Sequence, residues 1–200
     1  MPSANDRAIE VIRNNGGIIK TSNALKQGIH PRTLYGLRDK GTIEQIVRGV
    51  YRLTELETIS NPDLVAVASK FPNAVICLIS ALSFHNITTQ IPHEVSIAMK
   101  RVSRSPRIDH PPVSVHRFSK DSFTEGIEKH HVDGVTVNIY SAEKTIADCF
   151  KFRNKIGMDV VLEAIKLYKS RKKLSPEKLL KYAKVCRVQR IMMPYLEMLV

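Results

Sequence analysis

The chain has few cysteines, no long apolar run and no surplus of acid. Its three cysteines, Cys77, Cys149 and Cys186, stand far apart. No pair has metal-ligand or redox spacing, and an odd count fits no disulfide framework. Each sits in an apolar context, which points to buried thiols and a reducing compartment. The N-terminal stretch MPSANDRAIEVIRNN has no apolar signal core. The most apolar run, AVICLISAL, is too short to span a bilayer. A soluble, cytoplasmic protein with no membrane partner is expected. There is also no internal repeat, no low-complexity tract and no Gly-rich phosphate loop of either common type.

Against these absences stands a large excess of base. Lys and Arg number 31 and Asp and Glu 19, a formal net charge of +12. Such an excess bears on partners more than on fold, and favours polyanions, with nucleic acid ahead of a membrane surface. The excess is uneven. Residues 1–60 carry a net +3 and residues 61–200 a net +9, of which residues 151–190 hold 13 basic against 3 acidic side chains. The densest point, YKSRKK, makes Lys169, Arg171, Lys172 and Lys173 a candidate second basic surface. Its bland alternative is a solvated helical face. Apolar residues make up 43% of the chain, enough for real cores, and a charged content of 25% is ordinary.

Periodicity sorts the first 55 residues into a short list of elements. Ala8, Ile9, Val11 and Ile12 recur at helical spacing until Gly16-Gly17. IIK is a short extended piece. Thr21 or Ser22 can cap a second helix that stops at Gly28. Pro31, the favoured first helical residue, opens a third that runs to Lys40 and is stopped by Gly41. TIEQIV and VYRL are two strands joined at Arg48-Gly49, a turn short enough for a hairpin. The order helix, strand, helix, helix, hairpin is that of a winged helix-turn-helix. An acidic, polar stretch near residues 54–61 reads as a linker, so the expected domains are 1–57 and 60–200. The second is α+β. Helices are expected in PDLVAVASKF and SALSFHN, strands in EVSIAMK, VSVHRF, GIEKHHV and VTVNIY, with Asp133-Gly134 a strong hairpin turn. Helices follow from residue 141 onward and end the chain in a bundle-like segment.

The third helix has the pattern of a DNA reader. Leu34 and Leu37 share one side and face the module's core. Arg32, Tyr35, Gly36 and Asp39 point away, with Thr33, Arg38 and Lys40 at the flanks. Gly36 in mid-helix costs roughly 1 kcal/mol against alanine, which close approach to a groove wall would offset. Arginine on such a helix can grip guanine edges in a major groove. Arg48 at the hairpin tip and Arg52 on the returning strand would contact the phosphate backbone, which positions without specifying.

The segment GGIIKTSNALKQGIHPRTLYGLRDKGTIEQIVRGVYRL resembles the start of AbiE-type antitoxins of type IV toxin–antitoxin (abortive infection, phage defence) systems. LISALSFHNITTQIP and IYSAEKTIADCFKFRNKIG extend the resemblance over nearly the whole chain. The latter is similar to that family's Tyr-Ser-x-Glu-[Lys/Arg]-Thr-Ile-Ala-Asp helix. The resemblance implies a transcriptional autorepressor that binds inverted repeats in double-stranded operator DNA and counteracts a co-encoded nucleotidyltransferase-like toxin. It implies DNA binding by the N-terminal module, at Arg32, Thr33, Tyr35, Arg38 and Arg48, and antitoxicity in the C-terminal domain.

Rival chemistries find little support. Ser141 and Lys144 fit S-x-x-K, but the companion motifs of that nucleophile are missing. Ser141 as a helix cap, with Glu143 against the helix dipole, accounts for the residues more simply. His130 and His131 are adjacent on a strand and face opposite ways. His110 and His116 lack partners at ligand spacing. Glu94 and Lys100 make no nuclease-type pair. The expectation is a non-enzymatic protein with no metal and no cofactor. The remaining alternatives are a stand-alone winged-helix regulator with a ligand-sensing C-terminal domain, and a nucleic-acid enzyme that uses the winged helix for targeting.

Overall fold

The computed structural model describes residues 3–56, 58–103, 107–171 and 175–197. It divides into two compact units, Met1–Pro72 with His131–Val137, and Asn73–His130 with Asn138–Val200.

The first unit begins with helix α1 (Ala4–Asn14). Ser3 caps it: the Ser3 hydroxyl accepts from the Asp6 backbone N–H, and the Asp6 carboxylate accepts from the Ser3 N–H. Strand β1 (Ile18–Lys20), helices α2 (Thr21–Lys26) and α3 (Pro31–Asp39), and strands β2 (Ile43–Val47) and β3 (Val50–Leu53) follow. This is the winged helix-turn-helix that the sequence predicts. Strand β3 lies between β1 and β2 and is antiparallel to both. Gly49, at φ +81°, supplies the left-handed residue that closes the hairpin. One detail differs from expectation. Helix α2 has no side-chain cap, and its N-cap is Lys20. Thr21 instead sends its N–H and hydroxyl to the Gly49 carbonyl, at 2.9 and 3.3 Å. Ala8, Ile12, Ile19, Leu34, Leu37 and Ile43 are among the side chains of the buried core.

Helix α4 (Pro62–Lys70) packs on β2 and β3, so this unit runs to Pro72 where composition alone suggested a boundary at 57. The polar stretch before α4 is anchored too. The Asp133 carboxylate accepts from the Ser60 N–H at 3.0 Å, the Ser60 hydroxyl at 2.9 Å and the Asn61 N–H at 3.3 Å.

The remaining elements are strand β4 (Val75–Ile76), helix α5 (Leu78–Phe84), strands β5 (Val95–Lys100) and β6 (Val113–Phe118), helix α6 (Lys120–Thr124), and strands β7 (Ile127–Val132) and β8 (Val135–Tyr140). Helices α7 (Ala142–Lys151), α8 (Arg153–Ile156), α9 (Met158–Arg171), α10 (Pro176–Val185) and α11 (Gln189–Glu197) complete the chain. The sheet order is β6-β5-β4-β8-β7. It is mixed, with β5–β6 and β4–β8 parallel and β4–β5 antiparallel. Asp133 and Gly134, at φ +47° and +81°, make the turn between β7 and β8 that the Asp-Gly pair predicts.

Helix α7 is the hub of the second unit and packs against α5, α9, α10 and α11. Lys144 and Asp148, one turn apart on it, are both fully buried, with Lys144 Nζ 2.5 Å from Asp148 Oδ2. The ammonium also lies 4.1 Å from the centre of the Tyr140 ring and 5.1 Å from that of Phe118. The Cys186 thiol donates to the other Asp148 oxygen at 3.1 Å. Burial pushes the Asp148 carboxyl up from its ordinary range, and the Lys144 ammonium opposes this. Gly126 closes over the pair. A Cβ there would sit 2.7 Å from Lys144 Cβ, and the residue's φ of +75° also favours glycine.

Removing one member of such a pair leaves the other charge buried and unanswered. Asp148→Ala is expected to destabilise the protein by about 3–5 kcal/mol in urea unfolding. The double variant Lys144→Met/Asp148→Leu is expected to lie within about 1 kcal/mol of the parent or above it. Equal losses in the two variants would show that packing volume matters there and charge does not.

Candidate nucleic-acid interface

Helix α3 presents its residues as its spacing requires. Pro31 occupies the first helical position, and the His30 Nδ1 caps the helix by accepting from the Arg32 N–H at 3.2 Å. Leu34 and Leu37 are buried. Arg32, Tyr35, Arg38, Asp39 and Lys40 are exposed, and Thr33 and Gly36 are half-buried. Tyr35 keeps 45% of its surface in solvent, a large exposed aromatic side chain. The Arg38 guanidinium lies 5.3 Å from the centre of that ring, with Nη2 2.8 Å from Asp39 Oδ1. Any partner that takes Arg38 must draw it from a solvent-exposed pair, and such pairs contribute little. Nothing lies within 4 Å of the place a Cβ would occupy on Gly36.

On the wing, Arg48 is exposed at the hairpin tip. Arg52 is not available there, and its expected role as a phosphate contact is corrected. It sits on β3, the central strand of its sheet, with 6% of its side chain exposed. Its Nη1 donates to Glu44 Oε1 across the β2–β3 ladder at 2.7 Å, and the two residues are register partners. Arg52 is a structural ion pair.

The second basic surface is only partly within the described residues. Lys169 and Arg171 are exposed near the end of α9, where Arg171 Nη1 donates to the Asn86 carbonyl at 2.8 Å. Lys172 and Lys173 lie outside the described residues. Three further cations in the same charge-rich stretch were not singled out by sequence. Lys184, Arg187 and Arg190, with Gln189 and Met193, line a shallow depression of about 500 Å³. The only sequence signal for them was the regional excess of base.

The S-x-x-K pair is structural. The Ser141 hydroxyl accepts from the Lys144 N–H at 3.3 Å, and the Lys144 ammonium is committed to Asp148. Glu143 accepts from the Tyr168 hydroxyl at 2.9 Å. Burial pushes the Cys77 and Cys149 thiols well up, and the Cys186 thiol up to about 12, so none is poised as a nucleophile. Among the described residues, no three His, Cys, Asp or Glu side chains are grouped to hold a metal ion. No helix among them is long and apolar enough to cross a membrane.

Residues 6–54 match the family model described as a transcriptional regulator, AbiEi antitoxin. The match spans the winged module and agrees with the resemblance seen in the sequence. No curated protein matches the chain. Among solved structures, the chain is similar to the RV2827C protein from Mycobacterium tuberculosis. The TM-score is 0.62 over 92% of this chain and 72% of that one, at 14% identity. At that identity the likeness speaks to fold alone.

Two substitutions separate structural from binding roles. Gly36→Ala has open space for its methyl group and is expected to raise stability by roughly 1 kcal/mol. Lower affinity for DNA in that more stable protein would mark close backbone approach at this position. Arg52→Ala is expected to lower stability, because it leaves Glu44 without its cross-strand partner. It is expected to leave the salt dependence of DNA binding unchanged. A lower salt slope in this variant would return Arg52 to the interface.

Proposed function

We propose that this chain is a DNA-binding transcriptional autorepressor and the antitoxin of a type IV toxin–antitoxin system. On this reading helix α3 lies in the major groove of a double-stranded operator with inverted repeats, and Arg48 holds the neighbouring phosphates. The second unit counteracts a co-encoded nucleotidyltransferase-like toxin, with no catalytic chemistry of its own. The observation that carries the reading is the outward face of α3. Two arginines and a tyrosine stand exposed on a helix whose inner face is fixed by Leu34 and Leu37, inside a module that matches AbiEi regulators. Lys40 at the helix end and Lys169 and Arg171 on α9 add cationic surface for the same polyanion.

The reading makes distinct demands on the two arginines. Loss of a bidentate base contact costs about 1–3 kcal/mol, so Arg32→Ala is expected to weaken operator binding and relax discrimination at one base pair. Arg48→Ala is expected to weaken operator and random DNA alike and to lower the log–log salt slope by about 0.9. In cells, the full-length Arg32→Ala/Arg48→Ala protein is expected to derepress a reporter fused to the operon promoter. It should still rescue the growth of cells expressing the co-encoded toxin. A variant that footprints like the parent would rule out this placement of α3, and the absence of rescue by the unaltered protein would rule out the antitoxin role.

A further inference from the structure

A groove of about 620 Å³ runs beside helix α3, and of its lining residues only Thr33 has been given a role in DNA binding so far. One wall is a single face of α1, formed by Ala4, Arg7, Ala8, Val11 and Asn14, residues three and four apart. The ten helical rises from Ala4 to Asn14 make that wall about 15 Å long. The other wall is the α2–α3 connection, with Gln27, Gly28, Ile29 and His30, and the first turn of α3 at Thr33. Gln27 is tied to Asn15, the C-cap of α1, by two reciprocal hydrogen bonds between their side-chain amides, at 3.1 and 3.3 Å.

The walls mix apolar side chains, Ala4, Ala8, Val11 and Ile29, with a set of hydrogen-bond donors. Arg7 and Asn14 are exposed on α1, and Thr33 carries its hydroxyl on α3. His30 is more constrained. Because its Nδ1 accepts the Arg32 N–H, the hydrogen of the neutral ring must sit on Nε2. His30 is therefore a fixed-tautomer donor on the groove wall. Guanidinium, imidazole N–H, hydroxyl and amide donors are the groups that take phosphate oxygens. Glu10 is the one carboxylate among the lining residues, and it would oppose an anion. Since His30 and Thr33 belong to the same helix start as Arg32, a duplex read by Arg32 would carry its backbone past this groove.

We propose that the groove between α1 and the α2–α3 connection seats the sugar–phosphate backbone of the duplex read by α3, with Arg7 and the His30 Nε2–H as its contacts and Glu10 as the charge that limits its affinity. This rests on the DNA-binding reading above.

The test uses the full-length protein and two fluorescein-labelled duplexes, one from the region upstream of the operon and one of shuffled sequence, titrated by anisotropy between 50 and 200 mM salt. Arg7→Gln is expected to weaken both duplexes alike and to lower the slope by about 0.9. The parent would then lose roughly 3.5-fold more affinity than the variant across that salt range. His30→Asn keeps a helix-capping side chain and is expected to weaken both duplexes. Glu10→Gln is expected to strengthen both, a gain that misfolding could not produce. Arg7→Gln and Glu10→Gln proteins that bind like the parent, while Arg48→Ala still lowers the slope, would overturn the groove assignment alone. If Arg32→Ala and Arg48→Ala also bind like the parent, the DNA-binding reading falls, and the groove assignment with it.

Discussion

A lysine ammonium removed from all water must have its charge answered within a few ångströms, and in this chain Asp148 answers it. The requirement reaches well beyond the two residues. Helix α7 must hold both on the face turned into the second unit. Two aromatic rings, Tyr140 and Phe118, must stand beside the cation. The Cys186 thiol, which follows α10, must reach the free carboxylate oxygen, and position 126 must have no side chain at all. A buried pair of this kind adds little net stability over an apolar replacement of equal volume. Its effect is to penalise packings in which either partner is out of place. The surrounding residues add to this: Ser141 caps α7, Thr145 donates to the Tyr140 carbonyl at 3.2 Å, and Tyr140 donates to the Phe123 carbonyl at 2.8 Å. A stretch with the residue types of a catalytic helix is wholly occupied with its own architecture.

The winged module is organised the other way. Its core is apolar and small, and its charged residues are left in water. Arg32 and Arg48 need no rearrangement of the core to meet a partner, and Arg38 needs only to leave a surface pair. Such a surface suits association governed by long-range electrostatics, in which a cationic face raises the encounter rate with a polyanion. The one arginine excluded from this arrangement, Arg52, shows how strand position decides the matter. On an edge strand its side chain could have reached solvent, but in the centre of a sheet it is enclosed.

That residue also shows where sequence reading stops. Helices α1 and α3 were legible because apolar spacing, Pro31 and the glycines agree at the same positions. The β7–β8 turn was legible because Asp-Gly has few other uses between two strands. In VYRL, the place of Arg52 on the strand returning from the hairpin tip suggested a phosphate contact, but all four residues of β3 are buried, and a strand covered on both faces has no outward side. Strand β4 was hidden inside AVICLISAL because two residues give no period to count. The Lys144–Asp148 spacing was visible, yet the same spacing occurs on solvated helices, and only the packing of four other helices around α7 distinguishes the two. The face of α3 could be drawn from spacing alone. The groove beside it could not, because it is made by residues 4–14 and 27–33 meeting in space.

Asp133 holds Ser60 across a separation of 73 residues, and Asn61 beside it. That has a consequence in time. A ribosome adds about 5–20 residues per second, so roughly 4–15 s pass between the synthesis of Ser60 and that of its partner. Throughout that interval the residues of the winged module's core, of helix α3 and of the wing have been synthesised, but not the carboxylate that anchors the approach to α4. The order of synthesis thus separates an exposed cationic surface, synthesised early, from the final fastening of the unit that carries it.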